Sequence, residues 1–433
     1  MWRALSSCWQ EKAIAPPLHP LYEVPRKTNR LAYDNFLLAH YERAVRKIKV
    51  NSRPFLLLLD PSSLCQLQCP MCPTGLENAG SVGYGRRYYR NPRKLLSRDI
   101  FNTVIDELGD VLFFVHLYNW GEPLLNSNLV YFIQELALRD IVVVTNTNLS
   151  LSLADHAIDA LIDSGIARIE ASIDGFSQAS YGRYRVKGHF ELARDNLVRL
   201  AAARDRMGKD VRIVWNFLVF RFNETEIEPA RRFCEDHGIM FVRREAAISE
   251  ALRKEFLPSY REGERLEGFF EQRQHLFHPR SILQRPDKSC AWHYYYSIVN
   301  ADGSVSPCCS PWESDWDIGS IVPGATTFAD IWNSKYLKTS RYDVSGRYLI
   351  EKLRHKGVLK NIITVDDFVR TGTICQGCQM PISMLDLYSS WIEGIVEYYK
   401  KIKWKFNSRY DKAFSLVYHN KDAFVEYYKT FFA

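Results

Sequence analysis

No stretch of this sequence is both long and apolar enough to span a bilayer. The opening MWRALSSCWQEKAIAPP lacks the continuous apolar core of a signal peptide. These two absences predict a cytoplasmic protein with no membrane partner. There is no internal repeat and no low-complexity tract, which argues against a repeat architecture. An excess of charge is also missing. Lys and Arg number 57 against 50 Asp and Glu, leaving +7, too mild for a dedicated nucleic-acid binder although favourable to an anionic ligand. What is present suits a folded enzyme-sized chain. The apolar fraction of 46% and aromatic fraction of 13% suffice for a buried core. A length of 433 residues predicts one large core domain with appendages. Ten cysteines in a reducing compartment read as metal ligands or reactive thiols rather than disulfides.

Residues 1–50 form an extension with a Pro-punctuated start and an amphipathic helix over LAYDNFLLAHYERAVRKIKV. From residue 51 to 250 a rhythm follows. Six β-rich runs, at 55–60, 112–120, 141–149, 167–175, 211–220 and 239–245, alternate with helical patterns that often end in Gly. That order predicts parallel βαβ units, an α/β fold of the partial (β/α)6 TIM-like barrel kind. Chemistry in such folds gathers at the carboxyl ends of the strands. The unusual polar groups sit there: the cysteine loop after strand one, Gly121-Glu122-Pro123 after strand two, Asn146 and Asn148 at strand three, Ser172 and Asp174 at strand four. Asn216 lies within strand five. Residues 251–285 read as a charged helical linker, 286–385 as a second cysteine-bearing domain, and 386–433 as a helical tail rich in Tyr, Phe, Trp and Lys. The tail's default role is packing on the barrel.

In LCQLQCPMCPTG, Cys65, Cys69 and Cys72 stand in C-x3-C-x2-C spacing. Thiolate is the soft ligand of zinc and of iron–sulfur clusters. A structural zinc site wants four ligands, and three leave it one short unless a distant residue closes it. A cubane cluster held by three cysteines keeps one iron open for an exogenous ligand.

This loop, directly after the first strand, resembles that of the radical S-adenosylmethionine (SAM) superfamily, and the resemblance extends over most of the chain. It implies that Cys65, Cys69 and Cys72 hold a [4Fe–4S] cluster whose open iron chelates SAM, and that reductive cleavage gives a 5′-deoxyadenosyl radical that abstracts a substrate hydrogen. NWGEP is similar to the family's G-G-E-P motif, with Trp120 replacing the first Gly. The resemblance gives Gly121, Glu122 and Pro123 to the methionine end of SAM, and Glu122 a contact to its ammonium. ASIDG resembles the strand-four motif, implying that Ser172 and Asp174 approach the ribose or carboxylate. YGRYRVKGHFE is similar to a further segment, making Tyr181 and Arg185 candidates, with Arg185 pairing the SAM carboxylate; the alternative is a surface arginine. Asn146 and Asn216 complete the candidate cofactor contacts.

Cys290, Cys308, Cys375 and Cys378 form a second constellation, C-x12-G-x4-C followed by a distant C-x2-C. A hairpin turning at Asp302-Gly303 and closed by a knuckle suits either tetrahedral zinc or a fully ligated [4Fe–4S] cluster. The opening resembles the auxiliary-cluster domains called SPASM or twitch, implying a single auxiliary [4Fe–4S] cluster because the later C-x5-C-x3-C ligands are missing. Cys309 adjoins Cys308 and is a spare thiol, a swapped ligand or a catalytic hydrogen-atom donor. Cys8 has no motif around it, and Cys234 reads as a buried small hydrophobe.

The resemblance implies an oxidising or epimerising enzyme acting on a peptide, or a dehydrogenase acting on a small molecule such as a sugar or aminoglycoside. An electron donor such as flavodoxin or ferredoxin is then required. Peptide maturases of this family often carry an N-terminal recognition module, for which residues 1–50 are too short. A non-catalytic iron–sulfur or zinc protein is the reading from another class, and it leaves the GEP and SIDG segments at successive strand ends without a purpose.

Overall fold

The six apolar runs form β1 (Leu56–Leu59), β2 (Phe114–Leu117), β3 (Val142–Thr147), β4 (Arg168–Ser172), β5 (Arg212–Val219) and β6 (Met240–Glu245). The computed structural model describes residues 27, 30–44, 47–80, 94–246, 248, 252–261, 292–308 and 314–345. All six strands are parallel, each paired with its neighbours in sequence. Parallel pairing needs a crossover after every strand, and the helical patterns supply it. Helix α1 (Leu31–Ala44) precedes β1; α2 (Pro73–Asn78) and α3 (Arg98–Leu108) connect β1 to β2. Then come α4 (Leu129–Ala137), α5 (Asp155–Asp163), α6 (Gln178–Tyr184), α7 (Phe190–Met207) and α8 (Ile227–Asp236). Local chemistry ends these helices where the sequence places it. Ser97 caps α3 by accepting from the Ile100 amide, and Gly208 closes α7 at φ +61°, a conformation that costs glycine least.

Register then sorts the side chains. Leu58 lies beside His116, His116 beside Val144, Val144 beside Arg168, Glu170 beside Val214, and Asn216 beside Val242. Even-numbered residues of the six strands therefore share one face. Odd-numbered residues share the other, where Leu57, Val115, Val143, Ile169 and Trp215 are fully buried. Helices pack there; Phe233 of α8 sets its ring edge-on to Trp215 with centroids 6.0 Å apart. The polar side chains His116, Asn146, Arg168, Glu170, Ser172, Asn216 and Arg244 all fall on the even, inner face. No described strand closes β6 onto another, so the barrel is partial.

The expected hairpin forms from β7 (Tyr296–Val299) and β8 (Ser304–Ser306), followed by β9 (Gly319–Ser320). Gly303 turns it at φ +85°, and the Asp302 carboxylate accepts from the Ser304 amide at 3.0 Å. Its position is a finding of the tertiary structure: β7 pairs parallel with β1, so sheet order runs β6-β5-β4-β3-β2-β1-β7-β8-β9. The second cysteine-bearing segment is thus hydrogen-bonded to the strand that carries the first cysteine loop. Helices α9 (Phe328–Trp332) and α10 (Lys335–Ser345) lock it in place. Trp332 donates to the Ser52 carbonyl at 2.8 Å, and the buried Arg341 guanidinium donates to the carbonyls of His293 and Trp332.

Helix α1 also differs from its expected amphipathic form. Ala32, Phe36, His40, Glu42 and Arg43 are all buried. Tyr295, just before β7, meets the His40 ring nitrogen at 2.8 Å, and Glu42 accepts from the Asn51 and Ser52 amides. Of the helical linker expected at 251–285, residues 252–261 are described and hold two single turns, Arg253–Phe256 and Ser259–Arg261; the rest lies outside the described residues. The tail expected at 386–433 lies outside the described residues.

Candidate active site at the carboxyl edge of the sheet

The cysteine loop leaves β1 and is fixed by groups other than its thiols. Asn78 donates to the carbonyls of Cys65 and Leu67 at 2.8 and 2.6 Å, and the Gln68 amide donates to the Val186 carbonyl at 3.0 Å. Cys72 is the N-cap of α2, but its side chain makes no capping bond, and Pro73 follows at the position where a missing N–H is harmless. Gly75 passes so close that an added Cβ would sit 2.3 Å from the Cys69 carbonyl oxygen. Backbone and amide contacts thereby hold the loop that carries the three thiols.

The segment after β2 crosses this loop. A Cβ on Gly121 would fall 1.7 Å from the Ser62 carbonyl oxygen, so only glycine permits the crossing. The next amide, Glu122 N–H, donates to the Leu64 carbonyl at 2.7 Å. The Glu122 carboxylate faces inward. One oxygen accepts from the Thr147 hydroxyl at 2.6 Å and the Leu124 amide at 3.1 Å; the other accepts from the Asn148 amide at 2.8 Å. Burial pushes its carboxyl up, and those donors pull it back. The sequence reading gives this carboxylate to the SAM ammonium; here its oxygens tie the segment after β2 to the end of β3. Pro123 opens the short 3-10 turn that follows and is buried.

Glu122→Ala should therefore destabilise the protein before any ligand is added. It leaves two buried donors and one half-buried donor without an acceptor, a loss of about 2–4 kcal/mol at roughly 1–3 kcal/mol for each orphaned group, taken as non-additive. Chemical denaturation of the cluster-free, SAM-free variant measures this. Unchanged stability together with weakened SAM binding would return the carboxylate to the ligand.

At the end of β4, Asp174 is fully buried, accepting from Arg185 Nε at 2.6 Å and from the Leu218 amide at 2.7 Å. Burial pushes its carboxyl up and Arg185 works against that. Arg185 closes α6 with its side chain only 15% exposed, so it is not a surface arginine. Its Nη1 reaches Cys69 Sγ at 3.9 Å. Tyr181 is buried beneath Gly188, whose added Cβ would touch the Tyr181 ring at 2.7 Å. Burial pushes the Cys69 thiol up to about 12, Arg185 pulling it down, and burial with Glu122 pushes Cys65 well up. Without a compensating cation these are neutral thiols at pH 7.

Below this rim lies the polar inner face. Ser172 donates to Asn146 at 2.7 Å; Asn146 and Asn216 both donate to one Glu170 oxygen, at 3.3 and 2.7 Å. Arg244 donates to Asn216 at 2.8 Å, and Arg168 pairs with the other Glu170 oxygen. His116 lies 3.2 Å from the Tyr296 hydroxyl, and burial, then Arg168, pull its pKa down to about 4, keeping it neutral at pH 7. The structure thus joins Asn146, Ser172 and Asn216 through Glu170, which the sequence reading missed along with Arg168, Arg244, Thr147 and Gln66. Period-two alternation in β4, Arg168-x-Glu170-x-Ser172, was the available signal for the first two.

Among the described residues no three His, Cys, Asp or Glu side chains converge on one metal ion. A four-iron cluster differs, because each cysteine binds its own iron, and the donor set fits it: three thiols, two of them facing N–H donors. Of the second constellation only Cys308 is described, half-buried at the end of the hairpin against the main core. Cys290, Cys309, Cys375, Cys378 and Cys8 lie outside the described residues. Cys234 is fully buried on α8.

Residues 59–233 match the family model described as the radical SAM superfamily, and residues 290–357 match SPASM, an iron–sulfur cluster-binding domain. The chain is similar to SuiB of Streptococcus suis bound to S-adenosylmethionine, at 14% identity over 80% of this chain and 75% of that one, TM-score 0.46. It is also similar to BtrN in complex with AdoMet and 2-DOIA, at 15% identity over 76% and 95%, TM-score 0.42. Methylornithine synthase (PylB) matches at 17% identity over 57% and 67%, TM-score 0.33.

Proposed function

Because the chain belongs to the radical SAM superfamily and carries an auxiliary iron–sulfur domain, we propose that it oxidises a polar substrate by hydrogen-atom abstraction. Cys65, Cys69 and Cys72 would hold the [4Fe–4S] cluster, each through one iron. When bound, the cluster and SAM supply a one-electron reductive cleavage and the 5′-deoxyadenosyl radical that takes a substrate hydrogen. The residues around them orient and shield. The backbone at Gly121 and Glu122, held against the loop by the Leu64 carbonyl, would cradle the methionine end. Arg185, anchored by Asp174, presents its remaining N–H groups toward a carboxylate. Ser172, Asn146 and Asn216, linked through Glu170, would face the nucleoside.

The observation that carries the reading is the joint arrangement: three cysteines on the β1 loop, the glycine crossing beside them, and a charged inner face below. That face also bears on the substrate. The sequence admits a peptide or a small polyhydroxylated molecule. Arg168, Arg244, Glu170 and neutral His116 form a hydrogen-bonding wall that suits a compact, polar molecule with alcohol or amine groups. The auxiliary cluster, with Cys290, Cys308, Cys375 and Cys378 as ligands, would accept the electron that oxidation releases.

The test is anaerobic incubation of reconstituted protein with SAM, a one-electron reductant, and separate panels of peptides and of sugars or aminoglycosides in D2O. Expected are 5′-deoxyadenosine and a small-molecule product lighter by two hydrogens. Exchange of one hydrogen for deuterium in a peptide, with no loss of two hydrogens, would mean epimerisation instead. Failure to form any 5′-deoxyadenosine would overturn the proposal.

A further inference from the structure

We propose that Asn148 is a positioning residue that donates its side-chain N–H to the Cys65 sulfur and so raises the reduction potential of the barrel cluster. This rests on the reading above that Cys65 is a cluster ligand. Asn148 follows the last residue of β3, is 5% exposed, and places Nδ2 3.8 Å from Cys65 Sγ. Its orientation is fixed by its other half. Oδ1 accepts from Gln66 Nε2 at 2.8 Å and from the Ser150 amide at 2.9 Å. Two donors converging there identify that atom as the oxygen, so the nitrogen must face the sulfur.

The supports are themselves anchored. Gln66 Nε2 also donates to the Ser150 carbonyl at 3.0 Å, and the Asn148 amide is held by Glu122 at 2.8 Å. The Leu67 amide adds a second donor to the same sulfur at 3.5 Å. Gln66 Oε1 lies 3.8 Å from Cys65 Sγ as acceptor of the thiol proton. That contact ends when the thiol is deprotonated for ligation, whereas both N–H contacts strengthen.

The consequence follows from charge. Reduction adds one electron to the cluster from an external one-electron donor and breaks no bond. The added negative charge spreads onto the sulfurs. An N–H dipole aimed at a buried thiolate stabilises that reduced form more than the oxidised one, which moves the potential upward. Asn148→Asp keeps the acceptor oxygen for Gln66 and Ser150 but replaces the donor. Asn148→Ala removes both.

The experiment is an EPR-monitored redox titration of reconstituted full-length wild type, N148D and N148A, with iron counted per chain. Both variants should keep the barrel cluster. Its wave alone should shift, to at least a tenfold lower reduced-to-oxidised ratio at the wild-type midpoint, about 59 mV more negative for a one-electron couple. The auxiliary wave serves as internal control. A variant that keeps the cluster and titrates at the wild-type potential overturns the inference. A second measurement covers loss of the cluster in both variants: pulsed EPR of reduced wild type labelled with 15N-asparagine. A 15N coupling on the barrel cluster supports the contact, and its absence overturns it. Cys65→Ala separates the two readings. If that variant keeps a complete barrel cluster, the ligand assignment itself fails.

Discussion

Cys69→Ala is expected to abolish the barrel cluster and all SAM cleavage while leaving the fold intact. The thiol is nearly buried, at 4% exposed, and lies between the other two cysteines of the loop. Its loss leaves two thiolates for a cluster that the family holds with three, too few anchors for a cubane with one open iron. The loop itself does not depend on the sulfur. The Cys72 amide bonds to the Cys69 carbonyl, Asn78 holds the carbonyls of Cys65 and Leu67, and the Glu122 amide holds Leu64. Arg185 keeps Asp174 as its partner when the sulfur is gone. Removing one sulfur leaves a small void, a loss on the order of 1 kcal/mol beside the domain's overall stability. Anaerobic purification followed by an iron assay, thermal melting and a 5′-deoxyadenosine assay decides the matter. Wild-type 5′-deoxyadenosine formation in the variant would sink the assignment of this loop to the cluster.

A Cys375→Ala, Cys378→Ala double variant should contain about four irons per chain where fully reconstituted wild type contains about eight, given one cubane on each cysteine set. The prediction rests on a closed auxiliary cluster. Four cysteine ligands leave no open iron, so such a cluster binds neither SAM nor substrate but still carries an electron. Cys308 follows the β7–β8 hairpin, and β7 is hydrogen-bonded to β1, whose far end carries the first cysteine loop. One continuous sheet thus connects the first cysteine loop to Cys308, the member of the second set among the described residues. A substrate that loses a hydrogen atom and then a proton must pass one electron onward, and this is the route proposed for it. The double variant should still cleave SAM but form little finished product. Stoichiometric zinc with only four irons in anaerobic wild type would refute the electron-transfer role. Unchanged product yield would instead mean a redox-neutral reaction, with Cys309 or another thiol returning the hydrogen atom.

The sequence by itself determined the kinds of element and the cysteine loop. Runs such as IVVVTNT and the Gly-terminated helical segments carry their periodicity locally, and C-x3-C-x2-C lies within eight consecutive residues. Gly121 was legible as part of a motif, although its reason, a crossing that leaves no room for a Cβ beside Ser62, was not. What only the tertiary structure decided is pairing. The sequence reading could not foresee that β7 would join β1 across more than two hundred residues, that Glu122 would spend its carboxylate on Thr147 and Asn148, or that Asp174 would anchor Arg185. Nor could it aim Asn148 at Cys65, since an asparagine at a strand end reads the same whether it turns the chain or faces a ligand. Periodicity fixes which face a residue occupies within its own strand. Which partners meet it there depends on register and crossovers between distant segments, and that information exists only once the sheet has assembled.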